Sequence, residues 1–109
     1  MARETFYTTL IAGTYTVAVT GATADTMIMS CVAVNIDGTN AADVDVDFTD
    51  ASDSNTAKQL LFSAEVLGGD SASVLPAPQL LKTGDTLRAR ASANSDLVLV
   101  GWYETFTAT

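Results

Sequence analysis

The densest chemistry in the sequence lies in one run, Asp43-Val44-Asp45-Val46-Asp47-Phe48-Thr49-Asp50-Ala51-Ser52-Asp53, with five carboxylates in eleven residues. Calcium needs several oxygens converging on one point. An EF-hand loop starting at Asp43 would require glycine at its sixth position and glutamate at its twelfth, where the chain has Phe48 and Ser54. As a strand, the run puts Asp43, Asp45 and Asp47 on one face about 7 Å apart, which spreads charge rather than gathering it. Val44, Val46 and Phe48 then face a core. A loop site using Asp50 and Asp53 is the one metal reading left, on oxygen-rich composition alone. The sequence assigns no metal and no cofactor.

Other routes to catalysis are closed at the level of residue type. The chain has no histidine, which removes the commonest general base, the usual zinc ligand and every histidine-dependent triad. Neither Gly-x-x-x-x-Gly-Lys nor Gly-x-Gly-x-x-Gly occurs, so no phosphate cradle is signalled. Serine and threonine are plentiful, but none has an evident activating partner. Cys31 sits among Met29, Val32 and Val34 with no flanking base, and reads as a small buried hydrophobe rather than a reactive thiol. As the sole cysteine it can form no intrachain disulfide. No catalytic residue is assigned, and an enzyme is not expected.

Arg88 and Arg90 share one face of a strand, opposite Leu87, Ala89 and Ala91. Two roles fit them equally: cross-strand pairing with the acidic row, or anchoring a protein partner, since arginine is favoured in interfaces.

The elements that must position these residues show a period of two. With 109 residues, 48% hydrophobic and 17% charged, the chain suits a single domain, residues 1–109, built around one core. Strands are predicted at Phe6–Ile11, Thr14–Thr20, Met27–Ile36, Ala42–Phe48, Lys58–Leu67, Thr86–Ser92 and Leu97–Thr105. Short pieces at Ser73–Leu75 and Gln79–Leu81 flank Pro76 and Pro78. Turns fall at Ala12-Gly13, Asp37-Gly38-Thr39-Asn40, Gly68-Gly69-Asp70 and Ala93-Asn94-Ser95-Asp96, with loops at Gly21–Thr26 and Thr49–Thr56. The segment Ala57–Leu67 competes as a helix, since Leu60, Leu61, Ala64 and Leu67 have helical spacing, but its neighbours and boundaries favour a strand. The expected architecture is an all-β antiparallel sandwich of about eight short strands, jelly-roll or immunoglobulin-like.

Charge and hydropathy narrow the partners. Ten Asp and three Glu against five basic residues give a net charge of −8, which repels nucleic acid. Apolar runs are too interrupted to span a bilayer as a helix. Glu4 and the threonines at 8, 9, 14 and 16 interrupt any leader-like apolar segment, so synthesis in the cytoplasm without export is expected. Two strands carry more apolar residues than one buried face requires. Val98, Val100 and Trp102 oppose Leu97, Leu99, Gly101 and Tyr103, while Met29 and Cys31 oppose Ile28, Val32, Val34 and Ile36. Subunit contacts would bury the second faces, so a homo-oligomer or a docked subunit is expected. The interface candidates are Met29, Arg88, Arg90, Val98, Val100, Trp102 and Tyr103. Local covering by a loop or a terminus is the competing account.

The stretch Leu80-Leu81-Lys82-Thr83-Gly84-Asp85-Thr86-Leu87-Arg88-Ala89-Arg90-Ala91-Ser92, followed by Leu97 to Val100 and by Tyr103-Glu104, resembles the C-terminal half of small β-sandwich virion proteins of tailed bacteriophages. These typically have a leucine, a Gly-Asp turn, an alternating strand of small residues and a valine-rich closing strand. Val32–Thr39 and the alternating Val44–Phe48 are similar to their central hairpin. Trp102 and the acidic fourth strand lie outside that pattern. The resemblance implies a structural virion protein whose partners are the major capsid protein or other virion proteins. Head decoration (cement) is the favoured role, because no coiled-coil or shaft segment appears and the acidity suits an outer capsid surface. Neck, tail and fibre accessories are the alternative. A receptor- or carbohydrate-binding module would instead use Tyr7, Tyr15, Trp102 and Tyr103. An exported adhesin or pilus-like subunit is a third class, disfavoured by the lack of a leader-like segment.

Overall fold

Alternation of apolar and polar residues becomes nine strands and one short 3-10 turn in the computed structural model, which describes residues 2–21, 25–75 and 78–106. The strands are β1 (Ala2–Thr9), β2 (Thr16–Thr20), β3 (Asp25–Asn35), β4 (Ala42–Asp50), β5 (Thr56–Val66), β6 (Ser71–Ser73), β7 (Gln79–Leu81), β8 (Thr86–Ala91) and β9 (Leu97–Phe106). All pair antiparallel. One sheet has the order β1-β9-β3-β6, with β7 also on β3, and the other runs β2-β8-β4-β5. Counting β6 and β7 as one interrupted strand gives eight. The first and last strands are neighbours, and the chain crosses between sheets at every connection except the β4–β5 hairpin and the β6–β7 break. That is jelly-roll order, which decides between the two sandwich types expected from the sequence.

Each predicted strand is present, with ends shifted by a few residues. β1 begins at Ala2 and closes at Thr9 rather than spanning Phe6–Ile11. Residues 57–66 are strand and not helix, because pairing with β4 along its length outweighs local propensity. The loop expected at Gly21–Thr26 falls partly outside the described residues, and Asp25 and Thr26 open β3. Pro76 lies outside them as well.

Between the sheets, Leu10, Ile28, Leu81, Leu87, Leu97 and Leu99 are fully buried together with Val44 and Val46. Each such side chain is worth about 1.5–3 kcal/mol relative to exposure. Cys31 lies in this core at 2% exposure, where burial pushes its thiol up to about 12. It stays protonated at neutral pH and packs as the hydrophobe that its neighbours implied.

A β-bulge in β3 corrects one assignment of faces. Its register with β9 shifts between Ile28 and Ser30, leaving Met29 as the extra residue. The alternation therefore changes phase there. Ile28, Cys31, Ala33 and Asn35 are buried, whereas Val32 and Val34 are only half-buried, on the side away from the core. Ile28 thus does not share a face with Val32 and Val34, nor does Cys31 share one with Met29.

The Gly84-Asp85 turn has a structural use. Gly84 takes φ +93, a conformation open to glycine at little cost. Asp85 is buried, and its two carboxylate oxygens accept from Ala51 N at 2.9 Å and Lys82 N at 3.0 Å. Its carbonyl accepts from Gly21 N at 2.9 Å. One aspartate thereby ties three segments at one end of the sandwich.

Candidate functional site

The two outward faces of the sandwich differ in chemistry. On the β2-β8-β4-β5 sheet, Asp47 lies opposite Arg88 and Asp45 opposite Arg90. Arg88 donates to both carboxylate oxygens of Asp47, Nε at 2.9 Å and Nη2 at 2.6 Å. Arg90 Nε donates to Asp45 at 2.7 Å, and the other Asp45 oxygen accepts from Ser63 N at 2.7 Å. The ring of Tyr15 stands 4.6 Å from each guanidinium, and its hydroxyl meets the Gln59 amide at 3.2–3.3 Å. The carboxylate hydrogen bonds hold both arginines above their ordinary value. Of the two roles open to the arginines, this geometry has them paired across the strands with the acidic row.

Asp50 and Asp53, the remaining oxygens of that run, are engaged locally. Asp50 accepts from the Ser52 hydroxyl at 2.6 Å and its backbone N at 3.0 Å, and the hydroxyl is the larger cause of its lowered pKa. Asp53 pairs with Lys58 at 2.9 Å. Among the described residues, no three ligating side chains gather as a metal site would require.

The other outward face belongs to the β1-β9-β3 sheet. Residues directly opposite one another share a face, so the register groups this surface into rows. Thr9, Val98, Val34 and Ser71 form one, and Tyr7, Val100, Val32 and Ser73 the next. Thr5, Trp102 and Ser30 follow, then Arg3, Glu104, Met27 and Leu80. The first three rows hold no charged side chain. Charge enters only at the end, where Arg3 Nε pairs with Glu104 at 3.1 Å, the Arg3 guanidinium stands 5.9 Å from the Trp102 ring, and Asp25 lies opposite Phe106. Tyr7 is 67% exposed, and Met29, Leu80 and Phe106 are also exposed. Val32, Val34, Val100, Trp102 and Met27 are half-buried.

Of the interface residues expected from sequence, Val100 and Trp102 come together at the centre of this surface and Met29 sits on its bulge. Val98 belongs to the same face but is already 2% exposed, so it offers little area. Tyr103 points the other way, packed against the core with its ring centroid 6.3 Å from that of Phe6. Arg88 and Arg90 are on the opposite sheet. The sequence-based set therefore spans three environments rather than one site. Tyr7, Val32 and Val34 complete the surface. The alternation of β9 implied such a face, but the bulge hid its continuation into β3.

A shallow cleft of about 360 Å³ beside Trp102 is lined by Arg3, Glu4, Thr5 and the indole. No helix among the described residues is long and apolar enough to cross a membrane. No protein-family model matches the chain, and comparison with curated proteins finds no match.

Proposed function

We propose that this chain is a non-catalytic docking domain of a tailed-phage particle, a decoration or cement protein seated on the outer head surface through the β1-β9-β3 face. The observation that carries the docking is the uncharged apolar strip from Val34 through Val32, Val100 and Trp102 on adjacent strands. In a chain of net charge −8, a surface cleared of charge over three rows is where an apolar partner can be met without burying an ion. The opposite face keeps its ions, with Asp47 and Asp45 paired to Arg88 and Arg90, and suits solvent.

The phage assignment rests on the resemblance at Leu80–Ser92 and Leu97–Val100, and is supported by jelly-roll order, which recurs in viral capsid domains. In this role the domain acts by mass action. Binding the assembled state and not its free parts adds RT ln(1 + [L]/Kd), about 2.7 kcal/mol at a hundredfold excess over Kd. Immunogold labelling of purified virions tests the location. Regular labelling over the head is the expected result; labelling confined to the neck, tail or fibres transfers the role to an accessory protein, and none at all contradicts a virion function.

Glycan binding is the second reading, favoured by the Trp102 cleft with Arg3 and Glu4 beside it. Of its four candidate aromatics, Tyr7 and Trp102 face outward, while Tyr15 is engaged by the guanidinium groups of Arg88 and Arg90 and Tyr103 lies on the core.

A further inference from the structure

Three of the sandwich's four sheet edges are interrupted. β5 has two register shifts against β4, with Ser63 in the left-handed region at φ 53 and Phe62 exposed. β2 is five residues long and bulged between Val17 and Val19. β6 and β7 are three-residue pieces with a break between them. Bulges, short strands and breaks are the usual means of preventing a sheet from extending into a neighbour. β1 has none of these backbone devices and carries only the opposed charges Arg3 and Glu4: eight residues pair with β9 without a register shift, and among the described residues no strand lies on its other side.

The phase of its hydrogen bonds follows from Leu10 N, which donates to Leu97 O at 2.9 Å in the same register. In an antiparallel pair, alternate residues turn their backbone groups toward the partner strand. The even-numbered residues of β1 therefore bond β9, while Arg3, Thr5, Tyr7 and Thr9 turn N–H and C=O to the open side. Their side chains are those of the outward face.

We infer that β1 pairs with β1 of a second copy, antiparallel about a two-fold axis normal to the sheet at Thr5. The occupant follows from self-complementarity, which a two-fold contact requires. Opposite residues must share a face, so Thr5 meets Thr5 and Arg3 meets Tyr7 of the other copy. The Arg3 guanidinium, held to Glu104 by one Nε hydrogen bond on a side chain 74% exposed, then exchanges that contact for the Tyr7 ring, 67% exposed, as a cation–π contact made twice. Charge allows the approach: Arg3 and Glu4 cancel, so the edge is neutral in a chain otherwise at −8. Pairing would join the two apolar faces into one surface. It forms in free solution, so its failure is separable from failure of docking on a particle.

Light scattering on purified protein tests it. Wild type is expected at twice the chain mass of 11.3 kDa at about 100 µM, a concentration at which mass action populates even a weak dimer. Thr5→Pro removes an N–H that β9 does not use, a position where an edge strand tolerates proline. It is expected to be monomeric with unchanged far-UV circular dichroism. Thr5→Lys sets two ammonium groups against each other at the axis, and should be monomeric at low salt while regaining dimer as salt rises. A monomeric wild type overturns the inference. So does a dimer that persists in folded Thr5→Pro, or one indifferent to Thr5→Lys at low salt, since either places the contact elsewhere, including on the apolar face.

Discussion

Replacing Arg88 with alanine while Asp47 stays in place is expected to destabilise the fold by about 3 kcal/mol. The Asp47 side chain is 2% exposed and that of Arg88 26%. Removing the guanidinium takes away both of its hydrogen bonds to a carboxylate that remains inside the sheet. The expected cost lies at the lower end of the range for breaking a buried pair, because the partly exposed arginine leaves a path for water. Chemical denaturation gives the value directly. The paired change Arg88→Met with Asp47→Leu should return stability to within about 1 kcal/mol of wild type, since an apolar pair of similar volume carries no desolvation cost. Measured beside the singles Arg88→Met and Asp47→Leu, the double variant completes a cycle that isolates the coupling. A loss below about 1 kcal/mol in Arg88→Ala would be the behaviour of a surface ion pair, and would mean that the arginine is free to serve a partner.

A loss of comparable size is expected from a smaller change on the other sheet. Gly101 faces the core on β9 beside the bulge of β3. A Cβ added there would run into the Ser30 carbonyl oxygen and come within 2.7 Å of Phe6 Cζ. Phe6 can shift, but the backbone oxygen belongs to the central β3–β9 ladder and cannot rotate away. Overpacking costs of about 1–3 kcal/mol are usual where side chains can adjust, so Gly101→Ala is placed at about 3 kcal/mol. For a domain of this size that lowers Tm by on the order of 15 °C. Calorimetry checks it, and a shift of only a degree or two would mean that β3 and β9 do not approach so closely.

How far these features were legible varies with the range of the interaction behind them. Strand positions were readable because alternation is local: Val44, Val46 and Phe48 against Asp43, Asp45 and Asp47 can have one face inward, and they do. The sandwich followed from the number and spacing of such segments. Jelly-roll order did not, since it depends on which distant strands pair. The arginines show the same limit. Their alternation on β8 was visible, but whether the acidic row lay opposite them depended on the β4–β8 register. The apolar face was half visible, because β9 alternates without interruption, while one extra residue at Met29 reversed the faces of the first half of β3 relative to the second. No local signal marks that bulge, and it is what brings Val32 and Val34 beside Val100.

That juxtaposition carries the proposed docking role, which binding to phage heads prepared without this protein tests with two single substitutions. Val100→Asp puts a carboxylate in the middle of the apolar strip, next to Val32 and Tyr7. Val17→Asp adds the same charge to the opposite sheet at a side chain 48% exposed. Co-sedimentation with such heads is expected to show Val17→Asp binding as wild type does. Val100→Asp, folded to the same circular dichroism, should lose affinity by about 100-fold or more, the consequence of burying an unpaired charge at an interface. Val100→Asp binding like wild type, or Val17→Asp failing to bind, would contradict docking through this face.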